Sequence, residues 1–303
     1  MNNFAIYKQM VLKTIVITAA TATQILPHTF FLDKYRKFRA RYGLDDREVP
    51  IREDIKRRCK EVLDDVNLSE SDRQRIQFFS AHDIDVFHAG TTLTKYGAII
   101  GIPANFQYQD INDINEESIT HQNVLIDWNT NAGKQFQRSL ILSENAQKFA
   151  LAQRVLIVRE PDVMYQYVSA MVDTCLGVTV YDVIYKVFKL DKQRKINRFF
   201  YMIIIAFGTT FCWLLTKDGI QNHRELKVNE ELAKLGPQYI QGGAEYYEKL
   251  SERNKALRIL LGNTGKNLFT HNGNESSLFR QKRLPISQQI DYFNSKLQDI
   301  QIL

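Results

Sequence analysis

Histidine and cysteine, the residues from which metal sites and nucleophilic sites are most often built, form no such pattern in this chain of 303 residues. None of its six histidines (His28, His82, His88, His121, His223 and His271) is followed by glutamate. The sequence therefore has no H-E-x-x-H helix, which places two imidazoles one turn apart with a base between them. The three cysteines are odd in number and form no C-x-x-C pair, so neither a disulfide framework nor a cysteine-rich zinc site fits. We expect no catalytic residue, no metal, no cofactor and no enzymatic activity.

Two carboxylates inside an apolar stretch are the remaining candidates for chemistry. Residues 164–188 are apolar in bulk but contain Asp173 and Asp182. Nine residues of helix amount to about 900° of rotation, so the two side chains point to opposite faces and cannot share one site on a straight helix. An acid inside a membrane segment is a functional candidate. The alternative is a helix end that lies at the membrane surface or under a partner.

The apolar stretch that contains these acids is predicted to form a membrane hairpin, over 164–216, with the apolar stretch that follows it. The second apolar stretch, 199–215, has no charge and is just long enough to cross a bilayer as a helix. A buried helix of a soluble core is the alternative. Between the two stretches, residues 186–198 include six basic side chains and one acid, which accounts for most of the net charge of +6. Basic residues between apolar segments indicate a loop at a membrane surface more than a nucleic-acid face.

The N-terminal segment 1–32 is predicted to be an anchor or a mitochondrial targeting segment, with a membrane helix over 10–31. No acid precedes Asp33, and the stretch is apolar and mildly basic. Residues 34–41 that follow are also basic. Because this loop and the hairpin tip lie on opposite sides of the membrane if all three segments span it, the charge rule gives no orientation.

The water-soluble parts are predicted over 33–163 and 217–303. In the first part the patterns indicate an amphipathic helix over 45–66, β-rich runs at 75–81, 93–102 and 123–128, and a helix over 143–160 that is capped by Ser143 and stopped by Pro161. The second part contains a helix over 242–262 that ends at Gly262. We expect both parts to pack together as one α+β unit. The fold class is therefore a mostly helical α+β membrane protein with an N-terminal anchor and a central hairpin.

Five blocks of sequence resemble the transmembrane protein 177 family over about residues 95–285. They are GIPANF (101–106), DWNTNAG (127–133), LILSENAQKFALAQRV (140–155), QGGAEYYEKLSERNKALRILLGNTGKNLFTHNGN (241–274) and RQKRLP (280–285). The resemblance implies a multi-pass protein of the mitochondrial inner membrane. It also implies a non-enzymatic role in cytochrome c oxidase assembly, in which the protein stabilises newly made subunit 2 and its small membrane chaperone. The expected partners are then integral membrane proteins, with no nucleic acid and no small-molecule substrate.

A more remote likeness is to membrane zinc peptidases of the HtpX and CAAX-prenyl type. Gln153, Arg154 and Ile157 stand where those enzymes place the histidine, glutamate and histidine of their first zinc helix. NEELAKLG (229–236) stands where a later helix supplies the third ligand; Glu231 could take that role, but Lys234 and Leu235 occupy the far end of the motif. The likeness implies a peptidase-like scaffold that has lost catalysis. The alternative function is a degenerate or atypical membrane peptidase that acts on membrane proteins.

The helix from Gly242 to Leu250 is the predicted contact surface for a partner. Its candidate contact residues, together with the two membrane acids, are Glu245, Tyr246, Tyr247, Glu248, Lys249, Asp173 and Asp182. The alternative is a helix that packs on its own core, because Tyr247 lies on the apolar stripe of that helix. Gly242 and Gly243 are expected to allow a close backbone approach or a tight helix entry. A membrane-tethered nucleic-acid binder, using 34–41 and 186–198, is the third function that the charges allow.

Overall fold

The computed structural model describes residues 26–114, 126–277 and 280–302, together with Ile15, Ala19 and Ala22. The predicted membrane helix over 10–31 therefore lies almost wholly outside the described residues. At its C-terminal end the chain forms a 3-10 turn at Leu26–His28, which contains Pro27. The described helices are α1 (Leu32–Arg39), α2 (Glu53–Asp65), α3 (Glu70–Gln74), α4 (Asn131–Leu140), α5 (Glu144–Arg159), α6 (Asp162–Val187), α7 (Lys195–Lys234), α8 (Pro237–Leu260), α9 (Gly262–Leu268) and α10 (Ile286–Ile302).

A small mixed sheet contains the described strands β1 (Ile76–Ala81), β2 (Phe87–Gly90) and β3 (Ala98–Pro103). The central strand β3 is parallel to β1, with Ile76 opposite Ala98, and antiparallel to β2. All six residues of β3 are buried. The predicted β-rich runs at 75–81 and 93–102 therefore contain strands, although 93–97 forms a turn. In the run at 123–128, the described residues 126–128 belong to no strand.

The helices of the soluble part begin and end where local chemistry requires. Ser143 caps α5 as predicted, because its hydroxyl accepts the Ala146 N–H at 3.2 Å, and the helix ends two residues before Pro161. The predicted helix over 45–66 begins only at Glu53, because Glu48 forms an antiparallel bridge with Tyr42 and Arg52 is extended. The predicted helix over 242–262 begins earlier, with Pro237 in its first turn.

The hairpin consists of α6 and α7, joined at a tip where Lys189 adopts a left-handed conformation and Leu190 is buried. Helix α7 has 40 residues and is therefore about 60 Å long. It continues well beyond the predicted end at 215, because no proline interrupts it before Pro237. Its last turns enter the domain, where Val228 and Leu232 are buried.

The core of the domain is built from elements on both sides of the hairpin. Helix α8 packs against α4 and α5, which precede the hairpin, and against α10, which follows it. Phe149 of α5 and Phe293 of α10 are fully buried in one shared cluster. Helix α10 was not predicted, since its polar composition hides the few apolar residues that face inward.

Candidate functional site

The outer surface of the hairpin is apolar, and the described part of the chain leaves it exposed. Large apolar side chains on both helices are exposed, among them Leu176, Ile204 and Phe207, the last at 75%. In the most apolar 18-residue window of each helix, 11% of the α6 residues and 0% of the α7 residues are buried. A core helix of a soluble protein buries such a stretch, so that alternative does not fit. The candidate membrane spans are Met164–Val187 and Lys195–Lys234.

The inner surface of the hairpin is a close helix–helix contact. A Cβ atom at Gly177 would lie 2.5 Å from the Thr209 hydroxyl oxygen, so a larger residue at this crossing requires the Thr209 side chain or the helices to move. Near the tip, the rings of Phe188 and Tyr201 pack with their centroids 5.6 Å apart. Small residues that let two backbones approach are typical of helix pairs in membranes.

The two predicted membrane acids lie at different depths of the hairpin. Asp173 is half-buried and lines a groove of about 740 Å³ between the two helices, together with Thr216 and Ile220. Its Oδ2 atom is buried without a hydrogen-bond partner in the described part of the chain, as is Nε1 of Trp213. Asp182 is also half-buried and lies nine residues closer to the tip. The structure therefore does not bring the two acids together.

Tyr246 and Tyr247 belong to the core and not to a protein-contact surface. They are 8% and 3% exposed, and their ring centroids lie 5.7 and 5.6 Å from that of Phe149. Tyr247 also stacks on Phe293. This corrects the prediction for the two tyrosines and favours the alternative of a helix that packs on its own core. The unpredicted helix α10 supplies the Phe293 ring on which Tyr247 stacks.

The polar residues of the same helix have separate roles. Glu245 ties α8 to the start of α5, because it accepts the Ser143 backbone N–H at 2.8 Å and also the Ser143 hydroxyl. Lys249 donates to the Arg138 carbonyl oxygen at 2.9 Å. Glu248 is exposed and stays a candidate for a partner contact. Gly242 provides the predicted close approach, since a Cβ atom there would lie 2.3 Å from the Asn145 carbonyl oxygen.

A chain of buried side-chain hydrogen bonds joins four helices across the domain. Gln153 Nε2 donates to the Tyr247 hydroxyl at 2.8 Å, and that hydroxyl donates to Asn229 Oδ1 at 3.1 Å. Asn229 Nδ2 then donates to Gln289 Oε1 at 3.0 Å. These hydrogen bonds were not predicted from the sequence. Their only signal was polar amides at buried positions of separate helices, and nothing in the sequence says which amides pair.

The residues of the peptidase-like pattern are engaged in different contacts. Gln153 bonds to Tyr247, whereas Glu231 accepts from Arg159 at 2.6 Å in an ion pair at the domain surface. Within residues 26–114, 126–277 and 280–302, no three His, Cys, Asp or Glu side chains are grouped so that they could hold a metal ion. The loss of peptidase catalysis stays a prediction.

The two basic segments differ in their surroundings. In the first, Arg36 pairs with Glu48 at 2.9 Å and Arg39 pairs with Asp83 at 2.8 Å, so both side chains are used within the domain. In the second, the hairpin tip, the lysines and arginines at 186–195 are exposed.

Comparisons with known proteins agree with the resemblance in the sequence. A family model described as transmembrane protein 177 matches residues 7–283. A protein of Danio rerio called "Transmembrane protein 177" is 31% identical over 222 residues, which cover 71% of this chain and 69% of that protein. Proteins of the same name from Homo sapiens and Mus musculus are 27% and 30% identical, and they align with 88% and 77% of this chain and with 85% and 74% of their own lengths. No solved structure matches this chain.

Proposed function

The chain belongs to the transmembrane protein 177 family, and from that premise we propose that it is a non-enzymatic assembly factor of the mitochondrial inner membrane. In this proposal it stabilises newly made cytochrome c oxidase subunit 2 and the small membrane chaperone of that subunit. The hairpin spans the bilayer, and the partners are integral membrane proteins. Nucleic acids, small-molecule substrates and cofactors have no part in this role.

The observation that carries the proposal is the uncovered apolar surface of the hairpin. A helix pair that is exposed along its length and rigidly joined to a folded domain can place lateral contacts beside the helices of another membrane protein. The groove at Asp173 adds a polar group that a neighbouring transmembrane helix can engage, because polar atoms inside a membrane gain most from a partner. Glu248 offers a second contact above the membrane.

The experiment is a pull-down of the tagged chain from mitochondria whose own translation has been pulse-labelled. We expect labelled subunit 2 to be enriched over the other newly made subunits. An Asp173→Leu variant should recover less of it, because the polar contact in the groove is lost. Asp191→Asn, at the exposed tip, is the matched control and should recover as much as the wild type. Equal recovery of all labelled subunits, or of none, would contradict the proposal.

A degenerate or atypical membrane peptidase is the second candidate function. The observation in its favour is that the two segments of the peptidase-like pattern do meet, since Gln153 and Asn229 are joined through the Tyr247 hydroxyl. If the protein is an active peptidase, we expect it to cleave peptides, and we expect Glu231→Gln to abolish the cleavage. One tightly held zinc ion per purified chain would overturn the degenerate form.

A further inference from the structure

A second cavity lies inside the domain, away from the hairpin groove. Its volume is about 700 Å³, and its walls come from α5, the domain end of α7, α8 and the loop at 280–285. Arg154, Arg253 and Arg283 line it from three different elements. Nothing in the proposed assembly role uses this cavity.

The protein pairs only some of the arginines that line this cavity. Arg253 forms a two-bond ion pair with Asp85, at 2.6 and 3.0 Å. Arg154 makes no hydrogen bond or ion pair with any described residue, and the Nε atoms of both Arg154 and Arg253 are buried without a partner there. Arg283 is exposed at the cavity mouth and makes no direct hydrogen bond or ion pair within residues 26–114, 126–277 and 280–302, although the charges of Glu275 and Glu225 raise its pKa. Buried guanidinium donors without acceptors are costly, so they point to an acceptor that comes from elsewhere.

The wall as a whole carries an excess of positive charge. Its acidic side chains are Asp85, Glu225 and Glu275, against five cations: Arg154, Arg253, Arg280, Lys282 and Arg283. Because Arg280 is also paired with Asp218 behind the wall, the excess is one positive charge. The pKa of the half-buried His88, on the neighbouring strand β2, is affected by this positive charge. Removal from water and the nearby charges of Arg154, Arg224, His28 and Arg283 lower the pKa of His88 well below its ordinary value.

The loop of this cavity is fixed beside the point where α7 leaves its apolar stretch. Arg280 holds Asp218 through two bonds of 2.8 Å, and Asn222 donates to the Gln281 carbonyl oxygen at 2.9 Å. The Leu284 N–H donates to Glu225 at 2.9 Å. Asp218 follows the apolar stretch by three residues, so the loop runs about 5–15 Å beyond the end of that stretch at 1.5 Å per residue. A ligand of this cavity can therefore come from solution or from the membrane surface.

We propose that this cavity binds a phosphate group, with Arg154 and Arg283 as its direct ligands, carried either by an acidic phospholipid or by a free phosphate compound. The planar guanidinium donates two parallel hydrogen bonds to a phosphate, and it does so best where water is partly excluded. The excess of one positive charge, together with two guanidinium groups that make no direct ion pair, favours an anionic group. The site is independent of the assembly role, which concerns the hairpin.

The first test uses the full chain in phosphatidylcholine nanodiscs, titrated calorimetrically with inorganic pyrophosphate. If the ligand is a free phosphate compound, binding has a stoichiometry of one, and Arg154→Gln and Arg283→Gln each weaken it about tenfold or more. Arg57→Gln, an exposed arginine on α2, is the matched control and leaves the affinity unchanged. Arg283 lies at the exposed mouth, so its variant decides the question if Arg154→Gln does not fold.

The second test uses the same variants in nanodiscs that also contain phosphatidic acid, with native mass spectrometry of the released protein. If the ligand is a phospholipid, the wild type and Arg57→Gln retain one phosphatidic acid, and both cavity variants lose it. Either source supports the site. No binding of either probe, or binding that the cavity variants leave unchanged, would overturn it, whatever the outcome of the pull-down.

Discussion

Removal of the Tyr247 hydroxyl group should lower the stability of the domain. This hydroxyl accepts from Gln153 and donates to Asn229, and both partners are buried. Tyr247→Phe keeps the ring packing but leaves two buried amides each short of a hydrogen bond. We expect the free energy of unfolding to fall by about 1–3 kcal/mol. Urea unfolding of the purified chain in detergent measures it.

Tyr292→Phe is the matched control for that variant. The Tyr292 ring packs edge-on against Phe293, but its hydroxyl has no hydrogen bond within the part of the chain that the structure describes. We expect a change of less than about 0.5 kcal/mol. Equal effects of the two substitutions would mean that the hydrogen-bonded chain contributes nothing specific.

We expect the Cys59 thiol to be unreactive towards alkylating reagents in the folded protein. Cys59 is 4% exposed on α2, and burial raises the pKa of its thiol to about 12. Only the thiolate reacts with iodoacetamide, so we expect no modification at about pH 8 in the folded chain and full modification after denaturation. Peptide mass spectrometry distinguishes the two states. Rapid labelling without denaturant would contradict this burial.

At the scale of elements, the contact between α6 and α7 should depend on one glycine. Gly177→Leu places a side chain where the Thr209 side chain already lies, whereas a Cβ atom at Gly208 would meet nothing within 4 Å. Both substitutions keep the segment apolar, so membrane insertion should be unaffected. We expect only Gly177→Leu to lower the thermal midpoint in detergent, by several degrees. A similar drop for Gly208→Leu would show that leucine itself, and not the helix crossing, is responsible.

The elements whose ends are set by local chemistry could be predicted from the sequence. Helix α5 is one, because Ser143 and Pro161 mark its ends. Helix α10 could not be predicted, since only tertiary packing shows that Phe293 is fully buried. The end of α7 was missed for a related reason: the apolar stretch stops at Leu215, but the backbone continues as a helix into the domain.

The candidate sites were harder to predict than the elements. Asp173 was visible from sequence, because an acid in an apolar stretch stands out. The Gln153–Tyr247–Asn229 chain and the cavity at Arg154 and Arg283 were not visible, because their members lie far apart in the chain and converge only after folding.

At the scale of the whole molecule, one continuous helix joins the hairpin to the domain. The same helix, α7, runs through the apolar hairpin and into the buried core. A substitution at the domain end of α7 can therefore change how the hairpin is presented to a partner. This continuity gives the proposed assembly role a fixed geometry.

Whether the hairpin spans the bilayer is tested most directly by the accessibility of single cysteines to an impermeant maleimide in sealed vesicles of one orientation. Gln193→Cys reports on the exposed hairpin tip, and Ser295→Cys reports on the exposed side of α10. Cys175 and Cys212 are replaced by alanine, and the buried Cys59 is retained. If the hairpin spans the bilayer, only one of the two introduced thiols reacts before detergent opens the vesicles, and both react afterwards. Reaction of both thiols, or protection of both, in intact vesicles would contradict a spanning hairpin.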